Sequence, residues 1–117
     1  MAKLNFQLPV VRDRHYEIIA KMIERSFKKY RQDFGSDRFI VVFYPGCRDA
    51  ERLKPYLKKM GVRFLDYSGL FPIEKPEYWL KDMTVPGHPS PLGTSVVANQ
   101  LARDLETLLE DTKKDPE

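Results

Sequence analysis

A single cysteine, Cys47, stands among 117 residues, so no internal disulfide can form. The only histidines are His15 and His88, too few for a Cys/His zinc cluster. The six glycines never take the spacing of a P-loop or a dinucleotide-binding turn, which removes the common phosphate cradles. No apolar run approaches the roughly 20 residues of a membrane span, and the charged start reads as having no signal peptide. Charge of one sign is scarce as well: 20 Lys and Arg against 17 Asp and Glu leave +3. Nucleic-acid binding would need that charge gathered on one face. The richest basic stretch, from Arg25 to Arg31, instead lies among Glu17, Glu24 and Asp33, with Glu24 and Lys28 four apart as on a solvated helix face.

What is present fits one globular domain. The chain is 42% hydrophobic and 32% charged, and a chain this long hides about two-thirds of its unfolded surface. The expectation is a single soluble, cytoplasmic domain over 1–117, with no cofactor or metal and with neither nucleic acid nor membrane as partner.

Periodicity sets out the elements. Leu4, Phe6, Leu8 and Val10 alternate as in a half-buried strand, and Pro9 confines 1–11 to an edge or lead-in segment. From Arg12 to Phe34 the spacing of Ile18, Ile19, Met22, Ile23, Phe27, Tyr30 and Phe34 draws an apolar stripe on a long helix, which Gly35 stops. Arg38–Tyr44 is a continuous β-branched and aromatic run, suited to a strand covered on both faces. A second helix carries Ala50, Leu53, Leu57 and Met60, with Pro55 either kinking it or starting its ordered part. Gly61 ends it before a strand over Val62–Tyr67. Strand, helix and strand with short turns form a βαβ unit, hence parallel pairing. The irregular stretch Ser68–Pro91 holds five of the nine prolines and a helical turn at 77–82. A third helix over 92–112 has Ser90 as N-cap and Pro91 at its first position, and 113–117 frays.

Ligands of open α/β sheets sit outside the carboxyl ends of the strands. One of the loops there reads Val85-Pro86-Gly87-His88-Pro89-Ser90-Pro91-Leu92-Gly93. A histidine between glycine and proline at a helix start is exposed and oriented. It can serve as a general base for a hydroxyl nucleophile, or simply occupy a surface turn.

Three stretches together resemble the second half of an SGNH (GDSL-like) hydrolase domain. They are Phe39–Gly46, Gly61–Ser68, and His88-Pro89-Ser90-Pro91-Leu92-Gly93 followed by Val97, Ala98 and Leu101. The resemblance covers about 34–105 and implies a three-layer α/β/α, flavodoxin-like arrangement with a short parallel sheet. It further implies that His88 is the general base of a serine ester hydrolase acting on a small ester. The family's orienting aspartate lies three residues before its histidine, where this chain has Val85. Asp82, six before, is the candidate orienter, and Asp66 at a strand end is a second carboxylate.

The family's Gly-Asp-Ser nucleophile block has no counterpart in this sequence; Gly35-Ser36-Asp37 is a turn. Three readings follow. The chain supplies His88 and Asp82 to a site completed by an N-terminal half, or it is a non-catalytic remnant or interaction module. The third is a Cys47–His88 dyad acting alone. A short sheet and a long apolar stripe also predict a homo-oligomer.

Overall fold

The computed structural model describes residues 12–72, 74–80 and 88–114. The lead-in segment 1–11 lies outside them. Contacts divide the chain into two units, Met1–Val42 with Asp49–Leu65, and Phe43–Arg48 with Asp66–Glu117.

The first unit is built on helix α1, Asp13–Phe34. It ends as the sequence requires: Gly35 takes φ 60°, and its N–H donates to the Arg31 carbonyl, a left-handed cap that side chains with a Cβ resist. The buried stripe is narrower than expected. Tyr16, Ala20 and Phe27 are buried, with Ile23 and Tyr30 half-buried on the same face, in steps of four and three. At about 100° per residue, Ile18 and Met22 fall on the far side from Ala20, and both are exposed. Ile19 lies on the flank. Phe34 shares the buried azimuth but occupies the last position, 71% exposed, with its ring 4.9 Å from Tyr30. Of the surface pairs, Lys28 reaches Glu24 at 3.0 Å.

Helix α2, Ala50–Met60, buries Ala50, Leu53 and Leu57, the last completely. Pro55 lies inside it. The helix is already established at Ala50 by the Arg52 and Leu53 amides donating to the Asp49 carbonyl, so Pro55 does not start it; the proline merely offers no N–H to Glu51. The starts of α1 and α2 are tied together. The Tyr16 hydroxyl donates to Asp49 Oδ1 at 2.7 Å, and the Arg52 guanidinium lies 5.6 Å from the Tyr16 ring centroid. That bond, followed by burial, raises the Tyr16 pKa above its ordinary value.

Strands β1, Ile40–Phe43, and β2, Arg63–Asp66, pair in parallel as a two-stranded sheet joined by α2. The βαβ unit read from the sequence is therefore present in a small mixed α/β protein. The strands are shorter than the apolar runs that suggested them. Ile40, Val41 and Val42 are only half-buried, so β1 is not covered on both faces as its composition predicted.

In the second unit, a 3₁₀ turn η1 spans Pro76–Tyr78 and ends at an extended Trp79; of the helical turn expected at 77–82, residues 81 and 82 lie outside the described residues. Helix α3 runs Pro91–Lys114, starting as expected and continuing through 113 and 114, where fraying was predicted. Among the described residues no helix is long and apolar enough to cross a membrane.

Candidate functional site

The second unit contains both loops that leave the carboxyl ends of the strands. After β1 the chain turns at Pro45-Gly46, where the Cys47 amide donates to the Tyr44 carbonyl at 3.0 Å. Gly46 has φ 89°, and a Cβ there would stand 3.2 Å from Cη2 of Trp79. The position therefore needs glycine twice, for its backbone angle and for the indole against it. Its N–H donates to the Ser68 carbonyl at 3.3 Å, which joins this loop to the one after β2. There Asp66 Oδ1 accepts from the Ser68 amide at 2.9 Å and from its hydroxyl at 2.5 Å. Asp66 thus holds its own turn, as an aspartate commonly does.

Tyr67 follows β2 and is 5% exposed. Its amide donates to the Phe43 carbonyl at 2.8 Å, and its hydroxyl donates to Asp104 Oδ2 on α3 at 2.5 Å. Asp104 Oδ1 accepts from Gln100 Nε2 at 3.1 Å, so the carboxylate is held from two sides. Burial, then the hydrogen bond to Asp104, push the Tyr67 pKa up from 10.0 to about 12. A raised pKa means that the folded state holds this proton more tightly than the unfolded one. The stability it gives is complete below about pH 10 and is lost as pH rises toward about 12. Urea titrations should accordingly show wild type more stable than Tyr67→Phe up to about pH 10, with the gap closing above it. A gap independent of pH would mean that the phenol is no harder to ionise folded than unfolded.

The chain then folds back on itself around a small aromatic cluster. Phe71 stacks on Tyr78 at 4.7 Å and meets Trp79 edge-on at 5.3 Å. Beyond η1, Trp79 forms an antiparallel bridge with Pro89. The Leu80 amide donates to the His88 carbonyl at 3.0 Å, and the Ser90 amide to the Tyr78 carbonyl at 2.8 Å. His88 is therefore held at its own carbonyl, with a second inter-segment hydrogen bond two residues on at Ser90, just before α3. Its side chain is exposed, as the Gly-His-Pro context predicted. No described residue hydrogen-bonds its imidazole.

Ser90 caps α3 as expected, its Oγ accepting from the Gly93 amide at 3.2 Å and its carbonyl from the Thr94 amide at 2.8 Å. The same Oγ donates to the Glu77 carbonyl at 2.6 Å. Gly93 sits where no side chain fits: a Cβ would collide with the Tyr78 carbonyl oxygen and stand 3.1 Å from Pro89 Cβ and 3.3 Å from Phe71 Cζ.

The site residues named from the sequence thus have different outcomes. His88 is exposed, with its carbonyl held by the Leu80 amide. Asp82 falls in 81–87, outside the described residues. Cys47 is half-buried in the β1 loop. Tyr67 and Trp79 are buried, and Ser90 caps α3 as expected. Sequence reasoning missed the antiparallel pairing of 78–80 with 88–90, because a bridge across irregular chain leaves no periodicity. It also missed the Tyr67–Asp104 bond, whose partners are 37 positions apart. Among the described residues no group of three His, Cys, Asp or Glu could hold a metal. A groove of about 400 Å³ in the first unit, lined by Glu17, Lys21, Tyr56 and Lys59 among others, contains neither histidine nor cysteine.

No family model, no curated protein and no solved structure matches this chain.

Proposed function

We propose that the chain supplies the histidine base, His88, to an ester-hydrolase site of the SGNH type. A second polypeptide segment carrying a Gly-Asp-Ser block would complete that site. The observation that carries this reading is the set of contacts linking His88 to the carboxyl edge of the sheet. Gly46, just after β1, lies against Trp79 and donates to Ser68, just after β2. Trp79 in turn bridges Pro89, the neighbour of His88. The carboxyl edge is where an open parallel sheet presents its catalytic groups, and an exposed imidazole there is free to meet a hydroxyl brought from outside.

In this reading the complete domain is a three-layer α/β/α sandwich, with β1 and β2 as one half of its sheet. The serine attacks the ester carbonyl, His88 takes the hydroxyl proton and then returns it to the leaving alcohol, and water repeats the sequence on the acyl-enzyme. Asp82 is the proposed orienter of His88. The oxyanion donors come with the serine, and no metal or cofactor is required.

A second reading has its own observation. α1 exposes Ile18, Ile19 and Met22, and the sheet has two strands among the described residues, which suits a non-catalytic module that associates with a copy of itself or with another chain.

One experiment separates the two. Alone, the chain should hydrolyse short p-nitrophenyl esters no faster than its His88→Ala variant. Co-expressed with an SGNH N-terminal half bearing Gly-Asp-Ser, it should gain activity. A stable complex or homodimer that never gains activity would favour the second reading. Turnover by the isolated chain that depends on both Cys47 and His88 would instead establish the cysteine dyad.

A further inference from the structure

Ser90 does more than a helix cap needs. Apart from the aromatic residues, it is the only buried polar side chain among the described residues, 9% exposed. An N-cap requires only an acceptor, and Oγ meets that need by receiving the Gly93 amide at 3.2 Å. The hydroxyl proton is left over, and it goes to the Glu77 carbonyl, 13 residues upstream in η1, at 2.6 Å. The Ser90 amide meanwhile donates to Tyr78 at 2.8 Å, and two residues on each side the Leu80 amide donates to His88 at 3.0 Å. One side chain therefore fastens the 3₁₀ turn to the start of α3, and the backbone of His88 is the next point at which the two segments meet.

We propose that Ser90 is a positioning residue for His88, through the hydrogen bond its hydroxyl donates to Glu77 and apart from its capping of α3. The role in catalysis rests on His88 being the base; the positioning itself does not. Gly93 serves the same geometry, because any larger residue would push the first turn of α3 off the Tyr78 carbonyl.

The two functions of Oγ can be separated by a nearly isosteric pair of variants. Asparagine accepts through Oδ1 and donates through Nδ2, so Ser90→Asn retains a group for each bond. Ionised aspartate only accepts, so Ser90→Asp keeps the cap and loses the donation to Glu77. In the full chain, hydrogen exchange of the Leu80 amide reports the bond to His88, while Leu101 and Leu105 amides report α3. Ser90→Asn should hold Leu80 protection within about twofold of wild type, whereas Ser90→Asp should lose about tenfold, the effect of one hydrogen bond. The α3 amides should not change in either. Leu80 protection at the wild-type level in both variants would overturn the proposal, because the cap, which both keep, would then explain Ser90.

Should the aspartate variant fail to fold, the wild-type chain still decides. Its Ser90 hydroxyl proton should exchange slowly and show a nuclear Overhauser contact to Glu77 Hα. A rapidly exchanging hydroxyl without that contact would refute the donation. In the complemented hydrolase, Ser90→Asp should lower kcat and leave KM unchanged, with Ser90→Asn restoring kcat. Absence of activity in the complemented wild type would count against the hydrolase reading alone, because the exchange result stands independently of it.

Discussion

In the complemented hydrolase, replacing His88 by alanine should lower kcat for a short ester by about 10³-fold or more. The size follows from what a base does in acyl transfer. A serine hydroxyl is a weak nucleophile until its proton is taken, and the leaving alcohol departs poorly unless one is returned. One imidazole performs both transfers, so its removal is felt in acylation and in deacylation. KM should change little, because the ester is held by groups that remain. A variant within about tenfold of wild type would place the base elsewhere. Cys47→Ala in the same assay keeps the chemistry honest: serine catalysis is indifferent to that thiol, and a parallel loss would point to the dyad.

The second large effect is on stability. Gly93→Ala should cost about 1–3 kcal/mol, the range for forcing extra atoms into a packed site. Alanine is the better helix former by about 1 kcal/mol in a helix interior, so propensity alone predicts a gain. Sterics decide the sign. The added Cβ meets the Tyr78 carbonyl oxygen, which is backbone held by the Ser90 amide and cannot swing aside like a side chain. The atoms on its other flanks, Pro89 Cβ and a ring carbon of Phe71, belong to rigid groups. Denaturant unfolding of the variant checks this, and a variant as stable as wild type would show that α3 can move off the 3₁₀ turn at no cost.

Local chemistry explains which parts of the fold were legible in advance. Gly35 and Gly61 announce the ends of α1 and α2 because a left-handed cap has few other solutions, and both adopt positive φ. Ser90-Pro91 announces α3 by the same kind of rule, an acceptor side chain followed by a residue that needs no N–H partner. The βαβ order emerged from two β-rich runs flanking a 3.6-residue period.

Burial was less legible. Ile18 and Met22 looked like core because they are large and apolar, yet the azimuth set by Tyr16, Ala20 and Phe27 leaves them outside. Small Ala20, only 3% exposed, marks that face better than its larger neighbours do. In β1 the apolar run gave the strand but not the cover over it, because cover depends on how many neighbours the sheet has. The exposure of His88 was legible from its Gly-His-Pro context. What holds its backbone was not, since hydrogen bonds from Ser90 to Glu77 and from Leu80 to His88 join stretches with no common period. Ser90 could be recognised as a cap; that its proton has a second destination could not.

The contact between Gly46 and Trp79 gives the molecule an optical property. Trp79 is the only tryptophan in the chain and is 8% exposed. Its indole lies against the glycine after β1, its Nε1 donates to the Pro72 carbonyl at 3.3 Å, and its backbone bridges the proline after His88. Selectively excited emission therefore comes from one place, the seam where the strand-end loop meets the histidine turn. Anything that loosens this seam wets the indole and shifts its emission to the red, whereas a bound chain or ligand that seals it leaves the emission blue. The protein thus carries its own unlabelled fluorophore at that seam.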